Sequence, residues 1–383
     1  MDRVARSQVA VTARRAAERS PIRMLVLSPF PEQAAGTRFR ITHYVPYLEA
    51  NGFEVTVDPF FTASFFRLLY QKRHYLQKAL RFGGLAVRRL AAVTRAGRYD
   101  LIFIYREAFP VGPPFVERHL ASRGSRIVLD FDDAIYLSNT SEANRFAASL
   151  KYVQKASTLV RLSTHVIVGN EYLARYARMH NPAVTVIPTC VDTTRFVPRS
   201  GPRPAGPPIV GWIGSPTTTP YLSGLSGVLR TARAQHPFVL RVSGAEGPLA
   251  FDGVEIHDVP WSLDREVDLF NTCDIGVYPL TDDEWARGKC GFKAIQFMAC
   301  GVPVVASPIG VNQDIIRDGI NGFLAATPDE WVLKLGRLLA EPELRARFAE
   351  AGRRTVQERY SLQVHAPRFA ETLRAAARSR ESA

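Results

Sequence analysis

The sequence predicts an α/β fold of two doubly wound parallel-sheet domains. Short strand-like runs alternate with helical patterns along most of the chain, which is typical of this fold class. The length of 383 residues suits two domains of ordinary size. A segment rich in Pro and Gly, VPRSGPRPAGPP at 197–208, separates the halves and is the predicted linker. We therefore expect domains at 22–196 and 209–359, with a last segment at 360–383.

Apolar, β-branched runs between turn residues mark the strands. In the first half we predict strands at 24–28, 54–57, 101–105, 126–130, 165–168 and 185–187. In the second half we predict them at 209–213, 239–242, 255–257, 275–278 and 303–306. After residue 329 the pattern turns helical and has few breaks.

Composition excludes several classes of protein. With 46% hydrophobic and 22% charged residues the chain is globular, and it has no apolar run of the about 20 residues that cross a bilayer. Residues 1–21 lack the apolar core of a secretory signal, so we interpret them as a mobile basic tail. The four cysteines show no C-x-x-C spacing, so we expect neither zinc nor disulfides, and a reducing cytoplasm fits best.

The net charge of +13 is distributed unevenly. No Asp or Glu occurs from Pro59 to Tyr99, where aromatic and leucine residues at helical spacing are interleaved with cations. These cations are Arg67, Lys72, Arg73, Lys78, Arg81, Arg88, Arg89, Arg95 and Arg98. Such a helix is a candidate for lying on an anionic membrane surface, while the alternative is a solvated helix packed through its apolar stripe. No recognition motif accompanies the charge, so nucleic acid is not an expected partner.

The most informative stretch is WARGKCGFKAIQFMACGVPVVAS at 285–307. Arg287, Lys289 and Lys293 supply positive charge, and Gly288 and Gly291 let the backbone approach a ligand closely. A helix at 292–299 would direct its free N–H groups to the same place and end at Gly301 in the left-handed conformation. This outlines a phosphate site, although Gly-rich turns with solvated charges also occur in ordinary α/β loops.

Ligands of open α/β sheets bind beyond the carboxyl ends of the strands, so the loops there are candidates. In the first domain these loops carry Gly36, Thr37, Arg38 and Arg40, then Arg106, then Asp130, Asp132 and Asp133, then Asn170 and Glu171. In the second domain they carry Gly214, Ser215 and Thr217 within GWIGSPTT, then Ser243, Gly244 and Trp261. The Asp-x-Asp pattern raises a divalent-metal alternative. Trp261 can equally be ordinary packing.

These motifs resemble family 4 glycosyltransferases, which have the two-domain fold called GT-B. The family pattern places two Glu eight positions apart, the second before Ala-Met-Ala-x-Gly-x-Pro-Val-Val. Gln296 and Gly288 stand at those positions here, so both acids are absent, as in a divergent branch that also carries GWIGSPTT. The Arg and Lys that usually follow this turn are absent too. The resemblance implies Rossmann-like domains facing a cleft and a last helix that crosses back to the first domain.

The resemblance further implies a retaining, metal-independent enzyme without cofactor. It would transfer sugar from a UDP- or GDP-type nucleotide sugar to a glycan, glycolipid or small molecule, in polysaccharide or glycolipid assembly at the inner face of the membrane. Implied catalytic residues are Lys289, Lys293 and Arg38; donor-binding residues are Gly214, Ser215, Thr217, Ser243, Gly244, Trp261, Arg287, Gly291 and Gln296; acceptor-binding residues are Gly36, Thr37, Arg40, Arg106, Asp132, Asp133, Asn170 and Glu171. Because both acids are missing, two alternatives stay open: an inactive GT-B binding protein and a nucleotide-sugar epimerase.

Overall fold

The fold consists of two parallel six-stranded sheets, one on each side of the predicted linker. The computed structural model describes residues 20–69, 74–137, 154–201 and 205–379. The first sheet contains β1 (Ile22–Ser28), β2 (Phe53–Pro59), β3 (Leu101–Tyr105), β4 (Ile127–Phe131), β5 (His165–Val168) and β6 (Val184–Val186), in the order β2-β1-β3-β4-β5-β6. Its central strands β3 and β4 are buried at every position, which explains their continuous apolar sequences.

The second sheet repeats this architecture. It contains β7 (Ile209–Ile213), β8 (Val239–Ser243), β9 (Ile256–Asp258), β10 (Ile275–Tyr278), β11 (Val304–Ala306) and β12 (Phe323–Leu324), in the order β12-β11-β10-β7-β8-β9. The predicted strands agree with these to within two residues at each end. The two-residue β12 was missed because it is too short to show a period.

Helices cover both sheets. In the first domain they are α1 (Ala35–Arg40), α2 (Val45–Ala50), α3 (Ala63–Leu69), α4 (Tyr75–Thr94), α5 (Phe115–Ser122), α6 (Lys155–Leu162) and α7 (Glu171–Arg178). In the second they are α8 (Thr219–Ser223), α9 (Ser226–Gln235), α10 (Glu266–Asn271), α11 (Glu284–Arg287), α12 (Phe292–Ala299), α13 (Asn312–Ile315), α14 (Pro328–Ala340) and α15 (Pro342–Arg359), followed by α16 (Leu362–Arg378). Within the described ranges, none of these helices combines the length and the apolar character that crossing a bilayer requires.

The last helix crosses back to the first domain, as the resemblance implied. Phe369, Ala370 and Leu373 of α16 belong to the same buried cluster as strand residues of the first sheet. The ring of Phe369 stacks on Tyr44 with centroids 4.3 Å apart. The fold prediction, two Rossmann-like domains with a crossover helix, is therefore confirmed.

The helix predicted at 292–299 is α12, with the same bounds. Gly301 follows it with φ +67°, and the N–H of Val302 donates to the carbonyl oxygen of Phe297 at 3.0 Å. This is the left-handed glycine ending that the sequence predicted.

Some predictions fall outside the described residues. They are the part of the basic tail at 1–19, the linker residues 202–204, the terminal residues 380–383, and Lys72 and Arg73 of the basic stretch.

Each sheet reverses its strand order at one point, between β1 and β3 in the first sheet and between β7 and β10 in the second. In open α/β sheets these reversals open a crevice at the carboxyl ends of the strands. The loops after these four strands carry part of the predicted site, and the other predicted residues follow the neighbouring strands β4, β5, β8 and β9.

Candidate active site

A cavity of about 530 Å³ lies between the two domains at the carboxyl ends of the strands. Twelve of the predicted site residues line it. From the first domain they are Gly36, Thr37, Arg38, Arg106, Asp132 and Asp133; from the second they are Gly214, Ser215, Gly244, Trp261, Lys289 and Lys293. The fold thus brings both predicted halves of the site to one space.

The loop after β1 is shaped by contact with the end of β3. A Cβ at Gly36 would lie 1.9 Å from the hydroxyl oxygen of Tyr105, so only glycine permits this approach. The Tyr105 hydroxyl donates a hydrogen bond to Oδ1 of Asp132 at 2.7 Å. The hydroxyl of Thr37 donates to the carbonyl oxygen of Phe30 at 2.8 Å and holds the start of α1 against the loop.

Arg38 points from α1 into the cleft and forms an ion pair with the other domain. Its Nη2 lies 2.8 Å from Oε1 of Glu266, and both side chains are buried. Its Nη1 donates to the carbonyl oxygen of Glu32 at 2.7 Å, and its guanidinium lies 5.6 Å from the ring centroid of Trp261. Burial lowers the pKa of Arg38 although Glu266 opposes the shift. Arg38 keeps its charge, because a guanidinium group loses its proton only far above neutral pH.

Arg106 organises the carboxylates at the end of β4. It has φ +62°, an uncommon conformation for a residue with a Cβ, and its Nη2 lies 2.8 Å from Oδ1 of Asp132 and also contacts Asp133. Burial alone would raise the pKa of Asp132, but the charges of Arg106 and Arg40 hold it below its ordinary value. Asp132 is therefore an ionised acceptor of hydrogen bonds and a weak base.

The structure also bears on the metal alternative for these carboxylates. Asp130, Asp132 and Asp133 each form an ion pair with a guanidinium group. Across the described ranges, no group of three or more His, Cys, Asp or Glu side chains converges in a geometry that could hold a metal ion. Independence from metal remains a prediction.

Two glycine turns of the second domain bring their backbones into close contact at the cavity. Gly244 has φ +82°, and a Cβ there would lie 2.4 Å from the carbonyl oxygen of Gly214. The N–H of Gly214 donates to Ser243 O at 3.0 Å, and the N–H of Ser215 donates to Thr218 Oγ1 at 2.9 Å. Both N–H groups are thus engaged within the domain in this structure, and diphosphate binding by this turn remains a prediction. The Ser215 hydroxyl, at the cavity, is the group that this turn offers.

Lys293 lies in the first turn of α12 on the cavity wall. Its Nζ donates to Oε1 of Gln296 at 2.8 Å, and Nε2 of Gln296 donates to Oε1 of Glu266 at 3.4 Å. Burial lowers the pKa of Lys293 to about 8, against an opposing contribution from Glu266. Gln296 itself is fully buried and lies off the cavity, so it reaches a ligand only through Lys293.

The turn that carries Lys289 is docked on the first domain. Nδ2 of Asn170 donates to the carbonyl oxygens of Gly288 at 3.0 Å and Lys289 at 3.2 Å. The Cys290 thiol donates to Asp132 O at 3.1 Å, and its side chain joins the hydrophobic cluster of the first domain. The position of Lys289 is therefore set by both domains.

Several predicted residues lie away from the cavity. Arg40 is buried inside the first domain, where Nε and Nη2 both bind Asp130, at 2.9 and 2.5 Å; direct acceptor contact by Arg40 is therefore excluded in this conformation. Arg287 is exposed and pairs with Asp282 at 2.6 Å. Glu171 is exposed and pairs with Arg178.

The remaining predicted residues support the loops. Asn170 caps α7 by accepting from the N–H of Leu173 at 2.9 Å. Gly291 has φ +64° at the start of α12, Ser243 is buried behind Gly214, and Thr217 faces solvent beside Ser215.

Sequence reasoning missed Glu266, Tyr105 and Cys290. Glu266 does not belong to any motif. A buried cation needs a carboxylate nearby, but the sequence does not show which carboxylate lies close to it. Tyr105 is the last residue of the strand predicted at 101–105, but nothing in the sequence indicated that its hydroxyl belongs to the site. Cys290 lies in the central motif, but nothing in its spacing indicated an interdomain contact.

Comparisons with known proteins agree with this geometry. Residues 256–355 match the family model described as glycosyl transferases group 1. The D-inositol 3-phosphate glycosyltransferase of Nocardiopsis dassonvillei is 28% identical over 229 residues, covering 50% of this chain and 52% of that protein. The enzyme of the same name from Xylanimonas cellulosilytica is 33% identical over 111 residues, 28% of this chain and 25% of that protein. This chain thus matches only about half the length of the first of these curated relatives, and less of the second.

Solved structures share the whole architecture. Sucrose-phosphate synthase from Thermosynechococcus elongatus superposes with a TM-score of 0.69 at 19% identity, over 93% of this chain and 99% of that one. Anabaena HepE, solved in complex with UDP and glucose, superposes with a TM-score of 0.59 at 18% identity, over 92% of this chain and 100% of that one. The two sheets have the GT-B fold, and the resemblance to group 1 glycosyltransferases is confirmed for the segment with Lys289, Lys293 and Gln296.

Proposed function

We propose that this protein is a retaining, metal-independent glycosyltransferase that moves a sugar from a nucleotide diphosphate sugar, of UDP or GDP type, to an acceptor held by the first domain. One observation carries the proposal: Arg38, Lys289 and Lys293, from two domains, line one cavity at the strand ends of a GT-B fold. The group 1 family match spans two of these cations, and HepE was solved with UDP and glucose.

The cations would stabilise the departing diphosphate. Breaking the bond between the anomeric carbon and phosphate leaves positive charge on the sugar and negative charge on the diphosphate. Groups held in place before the reaction stabilise such charge without reorganisation. Lys293 is held by Gln296, and the turn of Lys289 by Asn170. A bound diphosphate would also raise the pKa of Lys293 and keep it protonated.

Arg38 would contribute a hydrogen-bond donor as well as charge. Its Nε is buried at the cavity wall, and no atom among the described residues accepts a hydrogen bond from it. A buried donor without a partner is costly, so a ligand oxygen there would recover that cost.

Asp132 and Asp133 would orient the acceptor. Arg106 and Tyr105 hold Asp132 with its carboxylate ionised at the cavity edge. An ionised carboxylate accepts hydrogen bonds from sugar hydroxyls. The acceptor would be a glycan, a glycolipid or a small molecule. A lipid-linked acceptor would require a second surface on the molecule, and α4 provides the candidate described in the next subsection.

A GT-B binding protein without turnover is the alternative with structural support. Gln296 stands at one of the two acid positions and is fully buried, and Gly288 at the other supplies no side chain. Turnover of nucleotide sugars with and without acceptor separates these two functions from each other and from a nucleotide-sugar epimerase. A transferase consumes donor rapidly only with acceptor, an epimerase consumes it without one, and a binding protein consumes none.

The deciding experiment is a thermal-stabilisation screen of nucleotides and nucleotide sugars, followed by turnover of those that bind. At 100 times its dissociation constant a ligand adds about 2.7 kcal/mol of stability. We expect nucleoside diphosphates and their sugars to raise the Tm of the parent protein. Equal Tm values with and without every nucleotide would contradict the proposal.

A further inference from the structure

Helix α4 presents an apolar stripe to solvent as well as to the protein. Its inner face is packed, with Phe82, Leu85 and Ala86 against the core of the first domain and Arg89 and Val93 buried. The outer stripe consists of Leu76, Leu80, Val87 and Leu90, and Tyr75 stands beside its first turn. Leu76, Leu80 and Val87 are 75%, 71% and 68% exposed. Their spacing places them on one side of the helix.

The stripe is held rigidly outward because arginines anchor the helix from its inner side. Nη2 of Arg89 donates to Asp58 O at 2.8 Å and to Ser28 O at 3.1 Å, at the ends of β2 and β1. Nη2 of Arg88 donates to Phe60 O at 2.9 Å. The side chains of the outer stripe therefore cannot turn inward without breaking buried hydrogen bonds.

Exposed arginines lie on α4 and on the segments just before and after it. Arg67, Arg81, Arg95 and Arg98 are exposed. Residues 59–99 contain no Asp or Glu, and the flanking acids are engaged, Asp58 by Arg88 and Arg89 and Asp100 by Arg23. Large exposed apolar patches mark interaction sites, and uniform positive charge selects a negatively charged partner.

We propose that the outer stripe and its flanking arginines form a docking surface for an anionic lipid membrane. At 1.5 Å per residue, α4 is about 30 Å long, and the stripe from Leu76 to Leu90 covers about 21 Å of it, so it can lie flat in the interface. Helices of this kind bury their apolar face about 5–10 Å into the headgroup region, while basic side chains meet the lipid phosphates. A protein partner would be expected to bring acidic groups of its own, but the combination of leucines with unopposed arginines matches a lipid surface most simply.

Docking there would also bring the cleft close to the membrane. Helix α3 directly precedes α4 in the chain and packs on it, and Phe66 of α3 lines the cavity. This consequence, unlike the surface itself, rests on the proposed transferase function. It would give the acceptor site access to a lipid-linked acceptor.

The test is co-sedimentation of the full chain with vesicles of phosphatidylcholine alone and of phosphatidylcholine with phosphatidylglycerol. One variant carries Leu76→Ser, Leu80→Ser and Val87→Ser, and another carries Arg81→Gln and Arg95→Gln. The control is Leu333→Ser on α14 of the second domain, a leucine of similar exposure at 61%. Far-UV circular dichroism and Tm check that every variant is folded.

We expect the parent and the control to bind anionic vesicles at low salt and to bind neutral vesicles weakly. Each arginine removed should weaken binding about fivefold, and loss of the stripe about tenfold or more. Raising salt to about 0.5 M should weaken binding of the parent more than that of the arginine variant. Equal binding by all four proteins would overturn the proposal. So would absence of parental binding together with a dimer that the stripe variant converts to monomer, because the stripe would then be a protein interface.

Discussion

Arg38 and Glu266 form a buried ion pair between residues that lie 228 positions apart and on opposite domains, with Nη2 of Arg38 2.8 Å from Oε1 of Glu266. Glu266 also accepts from Gln296, lies near Arg195 and raises the pKa of Lys293, so one carboxylate acts on cations of both domains. Because the two residues belong to different domains, the ion pair forms only when the domains are close together, and it then balances part of the positive charge of the site.

A double-mutant cycle tests this link. Arg38→Gln leaves the Glu266 charge buried without its partner, and Glu266→Gln does the reverse. Each should cost about 3–5 kcal/mol, while the double variant should cost clearly less than the sum. The measurement is denaturant unfolding, using the first transition of the two-domain chain. If the stability cost of the double variant equals the sum of the two single costs to within about 0.5 kcal/mol, the two groups do not interact.

Removal of the cleft lysines should affect the chemical step. If Lys289 and Lys293 stabilise charge that develops in the transition state, Lys289→Met or Lys293→Met should reduce kcat about 100-fold and change KM less. Arg287→Gln is the matched control, because Arg287 belongs to the same motif but pairs with Asp282 outside the cavity. Steady-state kinetics of these three variants and of the double lysine variant decide the question. Unchanged kcat in the double lysine variant would leave Arg38 and Arg106 as the other cations that line the cavity.

The depressed pKa of Lys293 predicts how activity depends on pH. Because its pKa is about 8 in the folded protein, kcat/KM should fall as pH rises above about 8, when the free enzyme loses this charge. Glu266 raises that pKa, so Glu266→Gln should move the fall to lower pH. Lys293→Arg should abolish it, because guanidinium does not titrate there. A fall that persists at the same pH in Lys293→Arg would assign it to another group.

The lowered pKa of Lys293 also determines how its contribution to the free energy of unfolding changes with pH. The unfolded chain holds the proton of this lysine up to about pH 10.5 and the folded chain only to about 8. Between these values the unfolded state binds more protons, so the contribution of Lys293 to stability rises with pH. Lys293→Met should remove this rise from a profile of Tm against pH.

Gly169 and Cys290 offer a test of how closely the domains approach. A Cβ at Gly169 would lie 2.2 Å from Sγ of Cys290, which belongs to the other domain. Gly169→Ala should therefore weaken the interdomain contact and lower the Tm. Adding Cys290→Ala should recover part of the loss, because the next contacts of that Cβ are at 3.3 Å or more. If the double variant is less stable than either single variant, the contact does not form in solution.

Metal independence is tested by turnover in excess EDTA compared with turnover in Mg²⁺ or Mn²⁺. Because Arg38, Lys289 and Lys293 supply the positive charge at the cavity, we expect equal rates. Abolition by EDTA, with recovery on adding metal, would contradict this and would make Asp130 and Asp132 the first candidate ligands.

Local patterns were enough to predict every described strand except β12, the helix at 292–299 with its glycine ending, and the loops that line the cavity. These features depend on residues a few positions apart, through strand and helix periodicity and the conformational freedom of glycine. The side of the sheets that carries the site followed from the predicted fold class, because ligands of open α/β sheets bind beyond the carboxyl ends of the strands.

Tertiary structure alone decided what the charges do. Arg38 and Arg40 lie two positions apart on α1, and the sequence offers no reason to separate them. Arg38 faces the cleft, whereas Arg40 turns into the core to meet Asp130, 90 positions away. Likewise, Glu266 became the counter-charge of the site only through packing of the two domains. The environment of a charge is set by its neighbours in space and by its distance from water, and neither is a property of a short stretch of sequence.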